Sequence, residues 1–246
     1  MTQGLPDAAA LYDVIEATWP PVARWQDGPW TLRRGGGGGK RVSAATAQRA
    51  VEAADLPLAE TAMRGMAQTP LFMLRDGDDA LDALLEDVGY GIVDPVNIYA
   101  AALSDLDLPQ PGRTASFHIW EPLAIQRDIW AAGGIGPERV DVMARTAGPK
   151  TALLGRISGR AAAAGFVALK ERTAMVHALE VLPEFRRRGM GRVLMAEAAI
   201  WARGQGASVM SVICTAQNEG ANGLYCGMGM THVGRYHYRQ HPDAGV

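Results

Sequence analysis

The chain of 246 residues contains only two cysteines, Cys214 and Cys226. So few cysteines exclude the disulfide-stapled scaffold of small secreted domains and make a reducing cytoplasm the expected location. Residues 1–10 lack the basic-then-apolar order of a signal peptide, and no apolar run approaches the roughly 18 residues that a membrane span requires. We therefore expect a cytoplasmic protein without a membrane partner.

The sequence also lacks a strong net charge, since 24 basic residues are balanced by 26 acidic residues. This balance offers no broad attraction to nucleic acid or to an anionic membrane, although a local basic cluster can still hold a small anion. No nucleic-acid partner is expected. The apolar fraction of 48% is enough for a well-buried core, and the length allows one large domain or two small ones.

The first half is marked by a run of five glycines, Gly35–Gly39. The segments Trp30–Arg33 and Lys40–Ser43 flank this run and predict a hairpin with a flexible tip. The run does not match a phosphate loop, because the residue after its lysine is arginine rather than serine or threonine.

Other elements of the first half follow from proline, glycine and capping signals. We expect helices at about 7–19, 44–54, 57–67 and 78–88, a strand at 71–74 and a strand pair at 90–103. The segment 108–112 contains two prolines and a glycine, which is typical of a linker. The sequence therefore predicts an N-terminal domain over residues 1–108 and a C-terminal domain over residues 114–246.

The second half predicts a mixed sheet flanked by helices, of the α+β or α/β class. Helices are expected at 122–132, 137–145, 193–203 and 218–228, and strands at 152–156, 163–169, 173–181, 209–216 and 231–238.

The most informative segment joins the strand that ends at Val181 to the helix that begins near Val193. It reads Val181-Leu182-Pro183-Glu184-Phe185-Arg186-Arg187-Arg188-Gly189-Met190-Gly191-Arg192. A helix start offers unpaired backbone N–H groups and the positive end of the helix dipole, and glycine lets a phosphate approach the backbone closely. The arginines add charge and forked donors. Taken alone the segment could be a solvated basic turn, but these features fit a pyrophosphate.

This loop is followed at the matching distance by a second block, Asn218-x-x-Ala221-x-x-Leu224-Tyr225-x-x-x-Gly229-Met230. Together the two blocks resemble the Gcn5-related N-acetyltransferase (GNAT) superfamily, and the likeness covers about residues 114–238. It implies the GNAT fold, a mostly antiparallel central sheet flanked by helices, and transfer of an acetyl group from acetyl-CoA to an amine. Met230 stands where phenylalanine is usual and fills the same apolar role.

The resemblance also implies roles for individual residues. In the family, the loop amides hold the pyrophosphate of acetyl-CoA, the preceding strand pairs with the pantetheine arm, and a tyrosine protonates the departing thiolate. Tyr225 is thereby the expected general acid, and no metal is expected. The implied acetyl-CoA contacts are Leu179, Glu180, Val181, Arg186, Arg187, Arg188, Gly189, Met190, Gly191, Arg192, Asn218 and Tyr225.

The general base is left open by the sequence. His177 and Glu180 both lie on the strand before the loop, and strand alternation places His177 on the face of Leu179 and Val181. The segment His177-Ala178-Leu179-x-Val181 also resembles a strand of arylalkylamine acetyltransferases, in which a histidine serves proton removal. Glu180 and a water relay are the alternatives, and a strand bulge would change the alternation.

A shift of 140 positions aligns the ends of the two halves: Asp78 falls on Asn218, Leu85 on Tyr225, Gly89 on Gly229 and Tyr90 on Met230. This alignment indicates that the N-terminal half is a degenerate GNAT-like copy of the C-terminal half, as in tandem GNAT proteins. The N-terminal half lacks the arginine- and glycine-rich loop, and Leu85, at the position of Tyr225, has no proton to donate. We expect no acyl-CoA site there and a role in packing and in shaping the substrate pocket.

Two other functions stay open at this point. The chain could be a non-catalytic module that binds or senses acyl-CoA, or an arginine-based nucleic-acid-binding protein, which the balanced charge disfavours. The expected acceptor is a small-molecule or peptide amine, and a homodimer is compatible with the sequence. The sequence does not identify the acceptor, the acyl chain length or the oligomeric state.

Overall fold

The computed structural model describes residues 4–242 and has the α/β class expected from the sequence. The first half contains helices α1 (Ala8–Thr18), α2 (Lys40–Ser43), α3 (Leu56–Gly65) and α4 (Asp79–Asp87), with strands β1 (Ala23–Asp27), β2 (Trp30–Arg34), β3 (Thr46–Ala47), β4 (Leu71–Arg75) and β5 (Gly91–Ala102). The second half contains helices α5 (Ala124–Ala132), α6 (Pro137–Arg145), α7 (Met190–Gly204) and α8 (Glu219–Cys226), with strands β6 (Ser116–Ile119), β7 (Lys150–Ile157), β8 (Arg160–Lys170), β9 (Thr173–Val181), β10 (Val209–Thr215) and β11 (Thr231–Gln240).

One mixed sheet runs through both halves. Among the described residues it has eight strands in the order β4-β11-β5-β10-β9-β8-β7-β6. The β9–β10 pair is parallel and the other neighbours are antiparallel. Helices α7 and α8 pack on one face through a core that includes Leu194 and Tyr225, and α1 and α5 pack on the other face. This mostly antiparallel sheet flanked by helices is the predicted fold.

Helix α1 follows directly from its sequence. Asp7 caps it by accepting a hydrogen bond from the N–H of Ala10 at 2.8 Å, and Pro20 and Pro21 lie just beyond its end. Its buried side chains recur at helical spacing, at positions 11, 12, 14, 15 and 18. Full burial of one such aliphatic side chain contributes about 1.5–3 kcal/mol, so this stripe holds α1 on the sheet.

The last strands of the two halves are exchanged. β5, from the first half, pairs with β10 of the second half, whereas β11, from the second half, pairs with β4 of the first. β5 and β11 also pair with each other, so each half completes the sheet of the other. The predicted domain boundary at 108–114 lies in the irregular connection between β5 and β6.

The backbone repeats at the spacing that the sequence predicted. Helices α4 and α8 begin at 79 and 219, and strands β5 and β11 begin at 91 and 231, so both pairs differ by 140 positions. Gly89 and Gly229 have φ angles of 92° and 83°, in the left-handed region that favours glycine. Leu85 and Tyr225 are both buried. The strand–helix–strand repeat is therefore confirmed at the level of structure.

The predicted hairpin around the glycine run is wrong. Residues 40–43 form the short helix α2, and β2 pairs with β1 through a two-residue turn at Gly28-Pro29. The glycine run packs on α6 instead of forming a tip, since a Cβ on Gly38 would lie 2.5 Å from Val142. The Gly-Pro pair at 28–29 was the stronger turn signal.

Two further predictions for the first half are corrected. Residues 44–54 contain β3 and a short 3-10 turn instead of a helix, because Ala45 pairs with the backbone of β4 and is fully buried. Where two strands were expected over residues 90–103, the chain forms the single strand β5, Gly91–Ala102. Pro95, which cannot donate to a ladder, is accommodated by a bulge in the pairing with β11, where Asp94 has a φ of 45°.

Cutting the connection between the halves is expected to leave them bound to each other. Residues 109–112 can be replaced by a site for a specific protease. After cleavage the two fragments should co-elute in size-exclusion chromatography and separate only in denaturant. The reason is that dissociation would expose the hydrogen-bonding edges of β5, β10 and β11. Fragments that separate in native buffer would contradict the exchanged arrangement.

Candidate functional site

The parallel strands β9 and β10 separate after four paired positions. Their register runs from Thr173↔Val209 to Val176↔Val212 and ends there. Beyond this point β9 continues along β8, and β10 continues along β5. The diverging edges leave backbone groups without a neighbouring strand. The result is a wedge-shaped opening, here called the wedge, near the centre of the sheet.

A row of free backbone amides lies where the chain passes from β9 into α7. Arg187 and Gly189 have φ angles of 59° and 80°, and the helix begins at Met190. Within residues 4–242, the N–H groups from 187 to 192 have no backbone acceptor, as expected at a helix start. With the positive end of the α7 dipole, these amides form a site for an anion.

The arginines of this loop serve two purposes. Arg186 donates to the carboxylate of Glu180 at 3.0 Å, and Arg192 donates to the carboxylate of Asp107 at 2.8 Å. These two side chains therefore hold the loop to β9 and to the linker. The adjacent Arg187-Arg188 pair is exposed and has no ion pair in the described part of the chain, so its charge is available to a ligand.

The two glycines of the loop are required for different reasons. Gly189 needs no side-chain space, since a Cβ there would meet no atom within 4 Å, but its positive φ strains any other residue. Gly191 lets the first turn of α7 pack against α8, because a Cβ would lie 2.9 Å from Leu224. Met190 is buried in the core, so it contributes only its backbone N–H to the loop.

Tyr225 lies on the same face of the sheet as α7. Its ring is buried, and its centroid is 5.9 Å from that of Tyr99. Within residues 4–242 its hydroxyl has no hydrogen-bond partner. Burial, with a smaller contribution from Cys214, raises the pKa of Tyr225 well above its usual value. The phenol is therefore protonated at neutral pH and can donate a proton.

Asn218 and a second asparagine organise the start of α8. Asn218 caps the helix by accepting a hydrogen bond at 3.0 Å from the N–H three residues on, as its position predicted. Asn222, which the sequence analysis missed, accepts hydrogen bonds from Asn97 and Tyr99, both at 2.8 Å, and donates to the carbonyl of Thr215. It ties the end of β10 to β5 and α8. An asparagine one turn after the cap was the available signal.

The alternation predicted for β9 is broken by a β-bulge. Ala178 has a φ of 49°, and the pairing with β8 skips one position between Phe166 and Ala164. Leu179 and Val181 pack toward α7, whereas His177 is buried on the opposite face. The prediction that His177 shares a face with Leu179 and Val181 is therefore wrong, because the extra residue reverses the parity.

Both ring nitrogens of His177 are engaged. Nδ1 lies 2.9 Å from an Arg41 nitrogen, and Nε2 lies 2.8 Å from the hydroxyl of Thr18. Because a guanidinium only donates, Nδ1 accepts, and the ring hydrogen on Nε2 is donated to Thr18. The Thr18 hydroxyl donates in turn to the carbonyl of Val14 at 2.7 Å. Burial, with a smaller effect of Arg41, holds the pKa of His177 well below its usual value, so the ring is neutral.

Acidification is expected to destabilise the protein through His177. The pKa of His177 is lowered in the folded state, so between that value and about 6.5 the unfolded chain binds more protons and stability falls as the pH falls. The slope from this group reaches at most about 1.4 kcal/mol per pH unit. His177→Gln replaces the imidazole with a side chain that does not titrate and should flatten this part of a plot of thermal unfolding temperature against pH. Equal slopes for the two proteins would contradict this account.

Glu180 lies at the edge of the same face as His177. Its carboxylate accepts from Arg186, and its side chain packs on the backbone at the end of α5, where a Cβ on Gly133 would lie 2.5 Å from its carboxyl carbon. Glu180 is only partly buried, so it is less enclosed than His177.

A cavity of about 250 Å³ lies beside the wedge, on the face opposite α7. We call it the wedge cavity. Both halves of the chain form its wall, and β11 contributes two tyrosines. Its lining includes Ala178, Ile213 and Thr215 beside the wedge, Trp19, Gly38, Gly39, Lys40, Arg41 and Asp94 from the first half, and Ile135, Arg139, Tyr236 and Tyr238 from the second.

No helix within residues 4–242 is long and apolar enough to cross a membrane. In the same part of the chain, no group of three or more histidine, cysteine, aspartate or glutamate residues is placed to hold a metal ion.

Comparison with known proteins places this geometry in a family context. Residues 123–230 match the model of the Acetyltransferase (GNAT) family. No curated protein matches the sequence. Among solved structures, a GCN5-related N-acetyltransferase from Kribbella flavida is similar with a TM-score of 0.67 and 20% identity, over 97% of both chains.

Two other solved structures are similar over nearly the whole chain. A functionally unknown conserved protein from Staphylococcus epidermidis has a TM-score of 0.71 and 11% identity, over 93% of this chain and 96% of that one. A tandem GNAT protein from the clavulanic acid biosynthesis pathway has a TM-score of 0.59 and 12% identity, over 97% and 89%. At these identities the likeness establishes the shared fold, with the N-terminal half included. Residues 123–230 thus carry the match to the Acetyltransferase (GNAT) family, and the chain as a whole shares the fold of Gcn5-related N-acetyltransferases.

Proposed function

We propose that the protein transfers an acetyl group from acetyl-CoA to an amine. The observation that carries this proposal is the wedge, which separates a row of free amides and a buried phenol on one face from the wedge cavity on the other. A thioester in the wedge would face a nucleophile in the cavity.

The residues around the wedge suit coenzyme A. The amides of residues 187–192 and the charges of Arg187 and Arg188 would hold the pyrophosphate. The edge of β9 from Leu179 to Val181, which has no strand beside it on the wedge side, would pair with the pantetheine amides as a strand does. Arg186, Arg192 and Asn218 would act by fixing the loop and α8 in place.

The reaction forms a bond between the amine nitrogen and the acyl carbon and breaks the carbon–sulfur bond of the thioester. An ammonium group has no lone pair, so it must lose one proton before attack, and the nitrogen loses a second as the amide forms. Tyr225 would give its proton to the departing sulfur and regain one from solvent. The products are an amide, a thiol and one released proton.

The route for the amine proton follows from the contacts of the candidate bases. His177 has both ring nitrogens occupied and would act by positioning Arg41. Proton removal is then assigned to water in the wedge cavity or to Glu180, which is only partly buried. The amine would therefore lose its proton toward solvent.

The direct test is incubation of the protein with acetyl-CoA and a panel of amines. Release of free thiol together with mass spectrometric detection of the acetylated amine would support the proposal. Binding of acetyl-CoA by calorimetry without turnover of any amine would favour the non-catalytic module instead. Failure of both binding and turnover would refute the proposed function.

A further inference from the structure

The wedge cavity is lined by more cationic than anionic groups. Lys40, Arg41 and Arg139 line it, and Asp94 is the carboxylate among its described lining residues. Asp94 is already paired with Lys40, at 2.7 Å. Within residues 4–242 neither arginine has an ion-pair partner. The cavity therefore carries two guanidinium charges that the protein itself does not neutralise.

Arg41 is held rigidly by neutral groups. One of its nitrogens donates to His177 at 2.9 Å, and its guanidinium lies over the ring of Trp19, 5.1 Å from the centroid. Burial raises the pKa of Tyr236, and the nearby positive charge of Arg41 acts in the opposite direction. Because these partners are uncharged, they do not neutralise the charge of Arg41. Its remaining guanidinium N–H groups are available to donate to an anion.

Arg139 approaches from the opposite half of the chain, on α6. A Cβ on Gly39 would lie 3.4 Å from two of its guanidinium nitrogens, so the glycine leaves room for this side chain. Its protein hydrogen bond is a long one, 3.4 Å to the carbonyl of Gly134. Its guanidinium therefore adds to the cavity lining donors that the protein leaves largely unused.

The remaining walls limit the size and polarity of the ligand. A volume of about 250 Å³ lies just below the roughly 300–1,000 Å³ of sites for drug-sized ligands. Val96, Ile135 and Ile213 give the cavity apolar surface between the arginines and the wedge. This combination suits a short carbon skeleton with an anionic group at one end.

We propose that the acceptor is a small amine that carries a carboxylate, of the size of a free amino acid. Arg41 and Arg139 bind the carboxylate, and the amino group lies toward the wedge. This assignment rests on the proposed acyl transfer, and it deepens that proposal by naming the class of acceptor. A carboxylate fits because it is planar and accepts the forked donors of arginine in pairs.

The test compares free amino acids with their carboxamides, which differ only in the charged group. With acetyl-CoA, kcat/KM measured by thiol release should be at least about tenfold higher for the acid of a productive pair. Arg41→Gln and Arg139→Gln should each lower kcat/KM for the acid by about 10- to 100-fold and leave the carboxamide rate nearly unchanged. Arg127→Gln, on the exposed surface of α5, is the matched control and should change neither.

The carboxamide rate shows that each variant is folded, so a selective loss reports on the carboxylate alone. Equal rates for acids and carboxamides, or equal losses for both in Arg41→Gln, would overturn the assignment. A preference for O-phosphoethanolamine over β-alanine would assign the arginines to a phosphate and would also overturn it.

A second measurement separates this inference from the proposed function. Thermal unfolding is followed with N-acetyl amino acids and with their carboxamides. Stabilisation by the acids alone, abolished in Arg41→Gln, would support the carboxylate site even if no amine is turned over. The opposite result is equal stabilisation, or none, by the acids and the carboxamides, together with equal turnover of amino acids and their carboxamides. It would reject this acceptor class and remain consistent with acyl transfer.

Discussion

Gly189→Glu is expected to lower the affinity for acetyl-CoA by at least about 100-fold, because two or more charge-assisted hydrogen bonds would be lost, each contributing about 1.5–3 kcal/mol. Gly189 has a φ of 80° and lies within the row of free amides. A side chain in this conformation costs about 1–2 kcal/mol and would shift the amides. The added carboxylate would also repel the diphosphate. Calorimetric titration of acetyl-CoA measures the effect.

The same helix provides a matched control. Gly206 has a φ of 82°, and a Cβ there would also meet no atom within 4 Å, but it lies at the far end of α7. Gly206→Glu therefore carries the same backbone strain and the same charge away from the loop. It should lower the thermal unfolding temperature at least as much as Gly189→Glu, because a carboxylate is disfavoured at a helix C-terminus, and leave acetyl-CoA affinity unchanged. Wild-type affinity in Gly189→Glu would rule out the loop as the diphosphate site.

Tyr225→Phe is expected to lower kcat by about 100- to 10,000-fold, the range that a positioned general acid contributes. The fold should persist, because within residues 4–242 the hydroxyl has no protein hydrogen bond to lose and phenylalanine fills the same buried ring space. Acetyl-CoA affinity should also be retained. Steady-state kinetics with calorimetry and thermal unfolding separate these effects.

The pH profile provides a second test of Tyr225. Its pKa is raised by burial above the usual value of about 10, so it stays protonated as the pH rises through the neutral range. The wild-type rate should therefore show no loss from ionisation of this phenol below about pH 10. The contribution of Tyr225 to stability is therefore complete below about pH 10, the pKa of the unfolded chain. Above that pH the folded protein holds this proton more tightly than the unfolded chain does, so the free energy of unfolding falls as the pH rises further.

Tyr90→Phe is the control for removing a tyrosine hydroxyl. Tyr90 belongs to the N-terminal half and donates to the carboxylate of Glu60 at 2.6 Å. Its loss should reduce the free energy of unfolding by about 1 kcal/mol, because the bond is partly exposed to solvent, and should leave kcat unchanged. A Tyr225→Phe enzyme with the wild-type kcat would remove Tyr225 from the mechanism.

Local features of the site could be predicted because they are made by neighbouring residues. The bounds of β9, the glycines at 189 and 191, and the cap of α8 by Asn218 all follow from short-range backbone chemistry. The orientation of His177 could not be predicted, since it depends on a bulge whose partner residues lie on β8. Asn222 was missed because its partners on β5 are more than 100 positions away in the sequence.

The same distinction explains the first half. The helix signals of α1, α3 and α4 were strong enough to predict those helices. Residues 44–54, although rich in alanine, became β3 and a turn because pairing with the backbone of β4 and full burial outweighed helix propensity there. The repeat at 140 positions was visible in the sequence, but the exchange of β5 and β11 was not.

The sequence by itself determined the resemblance to the GNAT superfamily, the amide-rich turn before α7 and the tyrosine on α8, because each of these depends on residues close together in the chain. Only the tertiary structure decided the wedge, the exchanged strands and the cavity with its two arginines, which have no ion-pair partner within residues 4–242. Those features arise from pairings between distant strands, and Arg41 and Arg139 reach one cavity only because the two halves complete a single sheet.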